Sequence, residues 1–283
     1  MSLRWHKLPV EIVLFIVAHA AGSALADNVP WITQLSLVSR AIYDVVTPVL
    51  YATLIVTDTN GSLVRAVTKN PRLMACVRKV CIAAPWNSSP WQWYEVPSLD
   101  ENGFAGVNEV IFLSNRSIPS FLRPSRLDMH NIPGLNIACF RLKGPLHLFP
   151  ELTHVYLACP PMAVARIFGL PESLRQLPKL THLAMDMSRE SESLDPPSDT
   201  AFSERMGKML SVILETTDGR LEVLALRVAG PMLARWDSVV RVVTGMHDRR
   251  LRVWRDDRTG NTTFLRVHDA RIGRDVWTEA KQL

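Results

Sequence analysis

A short apolar pattern returns along the chain and limits what it can fold into. Leu152-Thr-His-Val155-Tyr-Leu157, Leu180-Thr-His-Leu183-Ala-Met185 and Leu221-Glu-Val-Leu224-Ala-Leu226 all read L-x-x-L-x-L. Val77-Arg-Lys-Val80-Cys-Ile82 fits with substitution, and Leu251-Arg-Val-Trp254 fits in part. Counted between first positions, the intervals from Leu152 onward are 28, 41 and 30 residues. The longest contains the polar stretch Ser188 to Ser203, rich in Ser, Glu, Asp and Pro, which is expected as an insertion loop. Between the strands, Met162–Phe168, Glu204–Glu215 and Met232–Val243 carry apolar residues at helical spacing, as in Met206, Met209, Leu210 and Ile213. A unit of one strand and one helix cannot bury its own apolar face, so units of this kind must stack.

The expected fold class is therefore α/β, or an α+β mix. Its strand-then-helix period near thirty residues resembles an irregular leucine-rich-repeat-like βα solenoid. This domain is expected over 57–283. Within it, over 84–125, the aromatic-rich Pro85–Pro97 stretch interrupts the pattern. Near the end, Leu251–Arg255 and Thr262–Val267 are expected to pair as a hairpin around Arg258-Thr-Gly-Asn, with a closing helix from Asp269.

The first 56 residues read differently. Leu8-Pro-Val-Glu-Ile-Val-Leu-Phe-Ile-Val-Ala18 places Pro9 and Glu11 in a first helical turn, where both are favoured. Leu8, Ile12, Phe15 and Ile16 then share one face. A second segment opens near Asp27, Asn28 and Pro30 and runs from Trp31 to Arg40. Ile42, Tyr43 and Val46 follow before Pro48, which is expected to stop the helix. Two or three short helices make too small a core for much stability, so the module needs a partner surface, the downstream domain, or both.

Leu8-Pro-Val-Glu-Ile12, then Ile16, then Leu35-Ser-Leu-Val-Ser-Arg40 resembles the F-box motif. Thr47-Pro-Val-Leu-Tyr51-Ala-Thr-Leu54 is similar to the tail common in fungal, basidiomycete-like F-box proteins. The Ala/Gly-rich stretch from Ala18 to Asn28 departs from the pattern, and the aromatic expected after the arginine is present only as Tyr43. The resemblance implies a Skp-type adaptor of a cullin–RING (SCF-type) ubiquitin ligase as partner. It implies contacts through Leu8, Pro9, Glu11, Ile12, Ile16, Leu35, Val38 and Arg40, a protein substrate held by the repeat domain, and a cytoplasmic or nuclear location.

A competing reading is a secreted, glycosylated repeat protein with residues 1–26 removed. Arg4, His6 and Lys7 precede an apolar run, Ala24-Leu25-Ala26 resembles a cleavage site, and Asn60, Asn87, Asn115 and Asn261 head sequons. Pro9, Glu11 and His19 interrupt the apolar run, which is also too broken to span a bilayer.

The remaining chemistry is sparse. A net charge of +5 is too small, and Arg249, Arg250, Arg252, Arg255 and Arg258 too closely mixed with Asp248, Asp256 and Asp257, for a nucleic-acid surface. These residues are expected as a solvated strand and turn. Cys76, Cys81, Cys139 and Cys159 sit in apolar runs without a C-x-x-C pair, as buried thiols do. His154 and His182 occupy equal places in two repeats and are expected side by side on a solvated strand face, with no third ligand for a metal. Asp186, Glu190 and Glu192 read as loop carboxylates. Trp86, Trp91, Trp93 and Tyr94 form an aromatic cluster expected to cover the core or to rim a peptide site. No P-loop, G-x-S-x-G, Rossmann or H-E-x-x-H pattern is present, so neither an enzyme nor a cofactor is expected.

Overall fold

The chain is an α/β protein, and among the described residues its strands lie in one parallel sheet in chain order. The computed structural model describes residues 8–25, 27–57, 59–82, 106–112, 125–129, 151–158, 174–187, 198–258, 269, 274 and 276–283. The sheet comprises β1 (Thr53–Val56), β2 (Lys79–Ile82), β3 (Glu109–Phe112), β4 (Arg126–Met129), β5 (His154–Ala158), β6 (His182–Asp186), β7 (Val223–Ala229) and β8 (Leu251–Asp256). Each strand pairs with the next along the sequence, for example His154 with His182 and Leu183 with Leu224.

One backbone device joins successive units. The residue before a strand offers its carbonyl to two N–H groups at the start of the next unit. Ala52 accepts from Arg78 and Lys79, Arg78 from Asn108 and Glu109, and Asn108 from Ser125 and Arg126. Ser125 then accepts from Thr153 and His154, Thr153 from Thr181 and His182, and Thr181 from Glu222 and Val223. Ser125, Thr153 and Thr181 reinforce it by donating their hydroxyls to the carbonyl behind them. The pattern positions that open each unit, Val77, Leu152, Leu180 and Leu221, are all buried just before this junction.

Side chains alternate between the two faces of the sheet. The first face carries Leu54, Val80, Val110, Val155, Leu183, Leu224 and Val253 in the main core. Helices cover it: α4 (Gly61–Thr68), α5 (Pro71–Met74), α6 (Asp199–Thr216), a 3₁₀ turn (Gly230–Arg235) and α7 (Trp236–Met246). Phe202, Met206, Leu210, Ile213 and Leu214 of α6 are buried there, with Met209 packed at the edge. A short C-terminal helix, α8 (Val276–Glu279), lies on the second face instead.

The N-terminal helices are α1 (Val10–Ala24), α2 (Val29–Leu35) and α3 (Arg40–Tyr51). They pack around Ala21, Ile32 and Val46, a small cluster of their own. Tyr51 at the end of α3 reaches the main core, so the module is anchored at its last turn.

Several expectations change. The second N-terminal segment is broken into α2 and α3, because Ser39 caps a new helix by accepting from the Ile42 N–H. Pro48 does not stop α3, which runs on to Tyr51. The lost hydrogen bond is offset there by packing of Val49 and Leu50 on the Val46 cluster. The Ala/Gly-rich stretch after Ala18 is helical to Ala24, and Ala21 within it is buried in the module core. Thr53–Val56, at the tail of the F-box-like segment, form the edge strand of the sheet. Asp199–Ser203, expected within the insertion loop, belong to α6, capped by Ser198 accepting from the Ala201 N–H. Met162–Phe168, Thr262–Val267, Cys139, Cys159 and the Trp86–Tyr94 cluster lie outside the described residues. At its outer edge β8 bridges antiparallel to Lys281.

Candidate functional site

The exposed side of the N-terminal module is defined by what its core does not use. Ala21, Ile32 and Val46 are fully buried, while Phe15 is 69%, Val38 66% and Leu37 79% exposed. Leu8, Val10, Ile12, Ile16, Trp31 and Tyr43 are exposed as well. Of the residues matched to the F-box motif, Leu8, Pro9, Glu11, Ile12 and Ile16 are exposed at the start of α1. Val38 and Arg40 are exposed at the α2–α3 turn, and Leu35 is half-buried against the module core.

Local chemistry explains this arrangement. Pro9 opens α1 and its carbonyl accepts from the Ile12 and Val13 N–H groups, fixing the first turn. Asn28 caps α2 by accepting from the Trp31 N–H, and Pro30 occupies its first turn. The helix ends at Leu35, where Ser36 donates its hydroxyl to the Thr33 carbonyl at 2.6 Å. Leu37 and Val38 therefore fall in a turn with no helix face to cover them. Exposed large apolar side chains on α1 and in this turn suit a partner's hydrophobic groove.

The structure also bears on the sequons. Asn60 uses its carboxamide within the fold: Oδ1 accepts from the Thr57 N–H at 2.9 Å, and Nδ2 donates to the Ile55 carbonyl at 2.8 Å. Asn87, Asn115 and Asn261 lie outside the described residues.

A second cluster lies on the other face of the sheet. His154 and His182 stack with ring centroids 4.1 Å apart, as the register expectation required. The face is only partly open to solvent there, because Trp277 sets its indole edge-on against both half-buried rings, at 5.2 and 5.7 Å. Thr153 and Thr181 spend their hydroxyl protons on backbone carbonyls. The same hydroxyl oxygens lie 2.8 Å from Nδ1 of His154 and of His182, tying each ring to the backbone junction beneath it. Burial, reinforced by His182 and Arg126, pushes the His154 pKa down to about 4. His182 is lowered too, mainly by burial, although Glu222 opposes the shift. Both rings are thus held neutral.

Beyond the histidines, Arg227 is buried between Asp186 and Asp256. Arg258 donates to Asp256 and, with both outer nitrogens, to Asp269 at 2.7 and 3.0 Å. The Tyr156 hydroxyl donates to Asp186 at 2.7 Å. Burial opposes charge on Asp256, but hydrogen bonds from Arg258 and Arg227 outweigh it and hold this carboxyl well below its usual range. Arg227, Arg258 and Arg274 also flank the Trp254 ring, at 5.3, 5.5 and 5.7 Å.

Asp186 is therefore a buried strand carboxylate, and not the loop carboxylate expected from sequence; its partner Arg227 lies 41 residues away. Asp256 and Arg258, expected as solvated, are drawn into the same network. Arg255 and Asp257 do pair in solvent. Cys81 is buried and Cys76 half-buried, both as free thiols. Among the described residues no group of three or more His, Cys, Asp or Glu is placed to hold a metal ion, and no helix is long and apolar enough to cross a membrane. Comparison with family models, with curated proteins and with solved structures finds no match for this chain.

Proposed function

We propose that this protein is a non-enzymatic substrate receptor of an SCF-type cullin–RING ubiquitin ligase. Its N-terminal helices would hold the Skp-type adaptor, and its leucine-rich-type sheet domain would hold a protein target. One observation carries the reading: Leu8, Ile12, Ile16 and Val38, which match the F-box motif, are exposed, while Ala21, Ile32 and Val46, outside it, form the module's core. If the motif side chains served only to pack the module onto the sheet, the reverse distribution would be expected. A receptor of this kind performs no bond chemistry. It raises the effective concentration of target near the transferring enzyme.

On the secretion reading, removal of residues 1–26 would take Ala21 and Ala24 from the module core and expose Ile32 and Val46.

Co-expression with a Skp-type adaptor tests the proposal. The wild-type chain should co-purify with it, and Ile12→Asp should abolish this at unchanged circular dichroism. Failure of the wild type to associate would refute the receptor role.

A further inference from the structure

Stacked-repeat proteins commonly hold their ligands on an extended face of the stack. Over β5–β8, the sheet face away from the main core is occupied by the chain's own C-terminal end. Val276 and Ala280, one helical turn apart, are buried against Tyr156, Ala184, Ala225 and Trp254. Ala184 and Ala225 are in register on adjacent strands and carry nothing beyond Cβ, which makes the bed for α8. Trp277 lies against the two histidines, and Lys281 exchanges backbone hydrogen bonds with Val253 at 2.8 and 3.0 Å.

The fastening of this segment is apolar packing and backbone hydrogen bonding rather than charge. Among the described residues no ion pair joins 276–283 to the sheet: Glu279 is matched to Arg274, immediately upstream of the segment. The Arg258–Asp269 pair, which ties the chain after β8 into the buried network, lies before the segment begins. The ion pairs of the Asp186–Arg227–Asp256–Arg258–Asp269 network are made by residues outside 276–283. Lifting residues 276–283 would uncover an apolar bed flanked by the neutral His154–His182 stack.

We propose that residues 276–283 are a displaceable strap that occupies the target groove of this protein. The partner that fits the groove is a short helical peptide with the strap's own pattern: small aliphatic side chains one turn apart and an aromatic beside the first, as in Val276, Trp277 and Ala280. The inference rests on reading the sheet domain as the target-holding half of a receptor, but its test needs no adaptor. A groove that binds peptide in a chain that ignores the adaptor would separate the two claims.

Two measurements decide it. Hydrogen exchange on the intact chain should show amides of 276–281 exchanging about 100-fold faster or more than those of β6 and β7, through local opening. Exchange of both at one common rate would overturn the proposal, because the segment would then open only with the whole fold. A chain ending at Asp275 should bind a labelled synthetic peptide of residues 274–283, and the intact chain should bind it at least about tenfold more weakly, since its own strap competes. A folded, shortened chain that does not bind the peptide would overturn the proposal. So would a shortened chain that fails to fold, which would make the segment a structural cap.

Discussion

Arg227 sits between Asp186 and Asp256 where almost no water reaches, so its charge is balanced by those carboxylates and by little else. Such a network is costly to break from one side, because the remaining charges stay buried without a partner. Arg227→Met should therefore lower unfolding free energy by about 3–5 kcal/mol, measured by chemical denaturation. The same substitution at the exposed Arg255 should cost about 0–1 kcal/mol. The histidine stack sets a separate pH dependence. An unfolded histidine titrates near about 6.5, whereas folded His154 resists protonation down to about 4. Between these values the unfolded chain binds the extra proton, so stability falls as pH drops through that window and is retained above it. The melting temperature should fall from pH 7 to pH 5, and His154→Gln should reduce that fall. An unchanged slope in the variant would show that His154 is not the group responsible. The stacking of His154 on His182 was legible in the sequence from their equal places in two units. The indole that covers them was not, since Trp277 comes from a segment with no repeat to index it. Asp186 differs from the loop carboxylate its sequence suggests for a related reason: a carboxylate at a strand end looks the same in sequence whether water or a distant arginine meets it.

At the scale of elements, the strands that announced themselves are those whose leading leucine turns into the core before the junction, as Leu152, Leu180 and Leu221 do. β3 carries the same form as β2, in Val107-Asn-Glu-Val110-Ile-Phe112, but the aromatic-rich Pro85–Pro97 stretch breaks the spacing ahead of it, and β4 has Pro124 where the leading apolar residue would stand. β1 was absorbed into the F-box-like tail because Thr53–Val56 follows α3 after a single residue. Helix α6 was read nearly whole from its apolar spacing, and only its first turn was lost, where polar residues and the Ser198 cap resemble a loop. In the N-terminal module the exposed helix face was legible. Its core was not, because the critical contact is made by Ala21, a residue with little apolar signal. Ile32 is the large side chain of that core, so a charge there should unfold the module as a unit. Ile32→Asp should make α1–α3 rapidly cleavable in limited proteolysis while the sheet fragment persists. Equal protection of both variant and wild type would contradict this account of the module.

At the scale of the whole molecule, a sheet built in chain order divides the work between its faces. Among the described residues, one face packs helices onto the main core, and the other carries the histidine stack, the buried ion network and the C-terminal strap. The helical module stands at the β1 end, with its own small core turned inward and its motif residues, apart from Leu35, turned out. Such a division suits a protein that joins two partners, with one surface assigned to each. Titration of a purified Skp-type adaptor into the purified chain tests this most directly. The account predicts saturable binding, weakened about 30-fold or more by Ile16→Asp or Val38→Asp, and unchanged by Leu63→Asp, an equally exposed leucine on α4. Absence of binding by the wild type, or equal weakening by all the variants, would contradict it.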